Sequence, residues 1–129
     1  MTVTSLAQVF GGIKMSPTTG DKIMIFKDKW ATLILSGVKK LEVRSCRYKE
    51  GSYWIGCKEK IRGRCTLEKP LQIKTTSKWK QLWSLHCCKT DELPYKKTWA
   101  FHVTNVELIS PEIPYIHPKG AIGIVRYSG

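Results

Sequence analysis

Residues 37–44, GVKKLEVR, set two lysines, a glutamate and an arginine into a run with the two-residue alternation of a β-strand. A strand sends residues i, i+2 and i+4 to the same side. Leu41 and Val43 then face a core, while Lys40, Glu42 and Arg44 line the opposite face. Such a row is either a solvated sheet face crossed by weak ion pairs or a site. What lies on either side of it bears on the choice.

Upstream, residues 22–27, KIMIFK, are continuous in apolar side chains and predict a short buried strand. Asp28 is placed to cap a helix, Trp30, Leu33 and Ile34 fall at i, i+3 and i+4, and Gly37 stands where a helix C-cap belongs. The helix therefore hands the chain directly to KKLEVR. Downstream, residues 53–60 and 61–68 are rich in β-branched and aromatic side chains and predict two strands, with a break at Pro70. The period then changes: Trp79, Leu82, Trp83 and His86 form one helical stripe, capped by Thr76 or Ser77. Residues 97–109, KTWAFHVTNVELI, return to strand with Trp99, Phe101 and Val103 inward. A proline-rich loop, ISPEIPYIHPKG, leads to a closing strand in AIGIVRY. Residues 1–20 read as a tail or arm, which leaves one domain over 21–129. The expected fold is mainly β with two short helices, an α+β chain forming a small barrel whose ends the helices plug.

Composition narrows the function. In 129 residues there is no run near the ~18 apolar residues of a membrane span, and the N-terminus lacks a basic start followed by an apolar core. The expected location is intracellular, cytoplasmic or nuclear. Five cysteines, an odd number without a CxxC pair, fit reduced thiols and lack metal-ligand spacing. Neither a metal nor a cofactor is expected. Lys plus Arg is 22 against 10 acidic residues, a net of +12. Residues 39–80 hold 13 basic and 4 acidic side chains, whereas the first twenty residues contain only Lys14. A clustered positive field of this kind attracts polyanions, nucleic acid first among them.

The order of these segments resembles the ASCH domain of the PUA-like superfamily, β-barrels associated with RNA. The likeness rests on Trp30, Ala31, Ile34, Leu35 and Gly37 in the helix, then Lys39, Glu42 and Arg44 in the Lys-x-x-Glu-x-Arg pattern. It continues through YWIGCKEKIRG, the tryptophan helix, WAFHVTNVELI and IPYIHPKGAIGIVRY, and covers residues 22–127. It implies a PUA-like β-barrel that binds RNA or a modified nucleoside in a cleft beside the motif. Some members resemble amidohydrolases that deacylate a modified cytidine, and others resemble ribonucleases. In the amidohydrolase group the lysine matching Lys39 activates a threonine at the position of Glu42; this chain keeps the lysine and carries a carboxylate in place of the hydroxyl.

The candidate ligand-binding residues are Lys39, Lys40, Glu42, Arg44, Tyr53, His86 and His117, with Lys39 and Glu42 as the catalytic pair of an enzyme. Glu42 can accept from the exocyclic amine of a base, and Arg44 offers a planar fork to a phosphate or a base edge. Tyr53 and Trp54 point to opposite faces of their strand, which leaves one of them free to stack a base, while Trp99 fits the core. His86 ends an apolar stripe, as a core or site-edge residue, and His117 lies in the loop before the closing strand. Three functions stay open: a module binding RNA, other nucleic acid or a nucleotide-like ligand; an enzyme pairing Lys39 with an acid such as Asp91 or Glu92; and a protein-interaction domain with a basic surface.

Overall fold

The computed structural model describes residues 16–129, and most of the expected N-terminal arm, residues 1–15, lies outside the described residues. Seven strands and three short helices follow in the order β1 (Lys22–Ile25), α1 (Asp28–Leu35), β2 (Leu41–Arg44), β3 (Gly51–Cys57), β4 (Lys60–Leu67), β5 (Leu71–Ile73), α2 (Thr76–Gln81), α3 (Trp83–His86), β6 (Thr98–Pro114) and β7 (Ile124–Arg126). The strands form one curled sheet in the order β2-β6-β4-β3-β1-β7, with β5 also on β6. Among the described residues only the β1–β3 pair is parallel. The chain builds the expected small, mainly β, α+β architecture as a curled half-barrel sheet.

Strand β6 explains the curl. Its first residues pair with β2 and β5, and residues from Val103 onward pair with β4. Two register shifts interrupt the β4–β6 ladder, and Asn105 beside them has φ 50°. Irregular pairing of this kind bends a strand and increases its local twist. The 17-residue strand also runs through Ser110–Pro114, where the sequence predicts a loop. Prolines tolerated at an irregular or edge position do not end it. Gly63 sits at one register shift because a Cβ there would lie 2.5 Å from the Glu107 carbonyl oxygen and against Leu35.

Helix α1 ends as its sequence implies. Val38 N–H donates to Leu33 O at 3.0 Å and Gly37 N–H to Ile34 O at 3.1 Å, with Gly37 at φ +82°. This is the paired closure that a left-handed glycine allows at a helix C-terminus. Its start differs from expectation: Asp28 lies inside the first turn, and Lys27 holds the cap position without a side-chain hydrogen bond. Asp28 instead pairs with Arg62 at 2.8 Å. The second helical stripe is split at Leu82 into α2 and α3, giving three helices instead of two. Thr75, one residue before the expected caps, accepts from Lys78 N–H at 3.1 Å.

Three apolar clusters fill the molecule. One, inside the curl, contains Met24, Phe26, Ile34, Ile55 and Phe101; a second packs Ile23, Trp54, Ile61 and Tyr115; a third sets Leu41 and Ala100 against Trp79 of α2. Strand β2 separates the first from the third, so its two faces are both covered. No helix among the described residues is long and apolar enough to cross a membrane.

Candidate functional site

Alternation in β2 holds, with Leu41 buried and Val43 packed toward Trp79 and the α2–α3 side. Glu42 and Arg44 pair in register with Phe101 and Trp99, so they face the inside of the curl. Lys39 lies in the turn before β2, where the closure of α1 directs it inward. Its N–H bonds the same Leu33 carbonyl as Val38. The cluster is therefore Lys39, Glu42 and Arg44. Lys40, the expected first member of the row, is exposed and contributes backbone bonds to Leu85 and Val103. A turn, not a strand, positions the lysine, so the two-residue period does not reach it.

Glu42 is 4% exposed and holds a cation on each oxygen. Arg44 Nε lies 2.6 Å from Oε2, and Lys39 Nζ lies 3.6 Å from Oε1. Arg44 also donates to Ile25 O at 2.8 Å and covers Phe26. Lys39, equally buried, donates to His86 O at 2.5 Å and sits 4.8 Å from the Trp30 ring centroid. Burial pushes the Lys39 pKa below the usual lysine range, and the Glu42 carboxylate opposes that shift. A removed partner here would leave a buried charge uncompensated, the costly case for an ion pair.

Lys39 opens on one side into a recess of about 60 Å³ that Trp30, Val43, Trp79, Cys88, Pro94 and Tyr95 help to line. An ammonium has three protons to donate. With one on His86 O and one directed at Glu42, the third is left for a group in the recess. The space is about that of two waters, so it admits the edge of a planar ring and not a whole nucleotide. Trp30 and Tyr95 were not among the expected site residues, although Trp30 belongs to the helix motif that preceded them.

The two histidines have other duties. His86 is fully buried, stacked on Trp79 at 3.7 Å. Cys88 N–H donates to its Nδ1 at 3.0 Å, so the proton sits on Nε2 and goes to Trp79 O at 2.9 Å. Burial lowers its pKa. Its contribution at Lys39 is the main-chain carbonyl. His117 bonds Tyr115 and Ala121, beside the second apolar cluster. Tyr53 and Trp54 are both buried, at 2% and 5% exposed, so neither is the free stacking surface expected of one of them. Asp91 pairs at the surface with Lys80, 3.8 Å away, and Glu92 is exposed, which leaves neither as a partner for Lys39. The five cysteines are free thiols, and among the described residues no group of three or more His, Cys, Asp or Glu side chains is arranged to hold a metal ion.

A second, larger cleft of about 320 Å³ lies along β1, β3, β4 and β7, with Lys22, Arg64 and Arg126 in its walls. Tyr53 and Trp54, the expected stacking candidates, border it, whereas its cations come from segments spread over more than a hundred residues and were not expected together.

Neither a protein-family model nor a curated protein sequence matches the chain. Solved structures do. The crystal structure of the ZmASCH S128A mutant protein from Zymomonas mobilis is 16% identical, with 88% of this chain and 92% of that one covered at a TM-score of 0.66. The crystal structure of ASCH from Zymomonas mobilis is 15% identical, with 84% and 88% covered at a TM-score of 0.64. The chain has the fold of these ASCH proteins over most of its length.

Proposed function

We propose that this chain is an RNA-binding domain that takes the edge of a base, or of a modified nucleoside, into the recess beside Lys39. The observation that carries this is the Lys39 ammonium, buried, fixed by Glu42 and His86 O, and bordering a recess with aromatic walls. A cation held in place before the ligand arrives loses little conformational freedom on binding. Trp30 and Tyr95 line the recess with rings of the type that contact unstacked bases, and Lys29 and Lys39 lie over the Trp30 ring at 4.7 and 4.8 Å. Glu42, with a cation on each oxygen, supports the site by holding Lys39 and Arg44. The surplus of basic over acidic side chains draws the polyanion in. Five cysteines without a disulfide framework support an intracellular location.

Fluorescence anisotropy with a short oligoribonucleotide, at several salt concentrations, tests the proposal. Affinity should fall steeply with salt, with a log–log slope that tracks the phosphates contacted. Lys39→Ala should weaken binding about tenfold, the loss of one charge-assisted hydrogen bond. Incubation with acylated cytidine should yield no deacylated product, because the ASCH resemblance puts Glu42 where the amidohydrolase group has its threonine. Robust deacylation that disappears in Lys39→Ala would establish an enzyme instead of a binding domain.

A further inference from the structure

We infer that the Lys39 recess selects uracil, taking the edge of the ring that carries O4 and C5. The inference rests on the proposed reading of the recess as a base-edge site, and it names the base. Base edges differ in their order of donors, acceptors and apolar atoms, so the polarity of a small recess chooses among them. The one charged side chain in this recess is Lys39, whose ammonium donates and accepts nothing. Two of its protons are directed at His86 O and Glu42. Glu42 holds a cation on each oxygen and is not among the lining side chains. The deep wall is Trp79, whose indole N–H is spent on Thr90 O at 2.9 Å, with Val43 and Cys88 beside it. An indole accepts no hydrogen bond and a thiol accepts only weakly. The Tyr95 phenol can accept, but Tyr95 is 42% exposed and belongs to the mouth. An acceptor pushed to the floor therefore meets a donor, and a donor pushed there meets no strong acceptor.

The recess, about 60 Å³, has room for two neighbouring ring positions. Adenine and cytosine carry an exocyclic amine where guanine and uracil carry a carbonyl. An amine at the floor would turn its N–H groups toward the ammonium and leave them without partners, the costly case for a buried polar group. Guanine brings O6 with N7 beside it, two acceptors for one remaining proton. Uracil brings O4 with C5–H beside it: one acceptor for the Lys39 proton, and an apolar atom for Val43 and Trp79. A methyl group on C5 would extend that apolar contact.

Anisotropy with short oligoribonucleotides of equal length, made of uridine, 5-methyluridine, pseudouridine or cytidine, holds the phosphate charge constant and changes the edge alone. The uridine strand should bind about tenfold or more tighter than the cytidine strand, as a buried donor without a partner implies. The 5-methyluridine strand should bind at least as tightly as uridine. Pseudouridine can present a carbonyl with N–H where uridine has C5–H, and its strand should bind more weakly than uridine. None of these comparisons needs a variant. Lys39→Gln, whose amide both donates and accepts, should bring the uridine-to-cytidine ratio close to one, which also separates recognition from differences in stacking of the free strands. The Trp30 indole N–H resonance should move with the uridine strand at concentrations where the cytidine strand leaves it in place. Equal affinity for uridine and cytidine, with Trp30 moving for both, would overturn the choice of uracil and keep the base-edge reading. Pseudouridine bound more tightly than uridine would overturn the O4/C5 edge. RNA binding that leaves Trp30 unmoved with every strand would overturn the base-edge reading and this inference with it.

Discussion

Two groups of three charged residues divide this small barrel, and they differ in what surrounds their charge. Lys39, Glu42 and Arg44 are packed under the α1 turn, with the carboxylate shared between two cations. Lys22, Arg64 and Arg126 line an open cleft where the one acid is tied to the backbone and an indole. The first group is electrostatically satisfied by the protein itself, so it positions groups with precision and costs stability when disturbed. In the second, Arg64 pairs with Glu107 at 3.5 Å and Arg126 donates to Gly20 O at 3.0 Å at the edge of an open cleft, where charge is less deeply buried. Positive charge alone therefore does not identify the site: the partner of each cation does.

Breaking the buried group should give the largest effect. Glu42→Leu strands Lys39 in an apolar surrounding and should destabilise the fold by about 3–5 kcal/mol, read as a shift in the urea or thermal midpoint. Arg126→Gln, made in the open cleft, should leave that midpoint almost unchanged, as surface substitutions do. Equal losses in the two variants would erase the distinction between the groups.

Gly63→Ala probes the register shift in the β4–β6 ladder. A methyl group there meets the Glu107 carbonyl oxygen at 2.5 Å, where backbone has to move. A loss of about 1–3 kcal/mol, typical of overpacking, is expected in chemical denaturation. Wild-type stability in Gly63→Ala would mean that the β4–β6 irregularity is not needed to bend the sheet.

Acid sharpens the comparison next. His86 supports Lys39 through its carbonyl while its ring is neutral, with a pKa lowered by burial. The unfolded chain then binds more protons than the folded one as pH drops below the ordinary histidine value, near 6.5. His86 thus contributes stability that is present above that pH and is lost as pH falls toward its folded value. Denaturation midpoints between pH 7 and 5 should decline, and the decline should be shallower in His86→Phe. The open cleft has no histidine in its walls.

The smallest effect concerns thiols. Burial, helped by Glu42, pushes the Cys65 pKa up to about 12, while Cys46 is exposed. Alkylation at pH 8 followed by mass spectrometry should label Cys46 first and leave Cys65 unmodified until the barrel unfolds.

Much of the architecture could be read from local pattern, because local forces set it. The α1 stripe, Gly37 in its left-handed conformation and the Leu41/Val43 alternation all follow from spacing. Lys39 and Lys40 could not be separated that way, since a turn interrupts the two-residue period just before β2. The break at Leu82 and the passage of β6 through Pro111 depend on tertiary packing and on pairing with β4. The open cleft left no local trace, because Lys22, Arg64 and Arg126 meet only when β1, β4 and β7 assemble.

The most direct measurement is a ¹⁵N–¹H titration of the five tryptophan indoles with a short 5′-hydroxyl oligoribonucleotide. Trp30 borders the Lys39 recess and Trp54 the open cleft, so the two regions report separately. The Trp30 resonance should move and saturate with the anisotropy isotherm, and Lys39→Ala should abolish the movement. RNA that saturates the protein while the Trp30 resonance stays in place would contradict binding in the Lys39 recess.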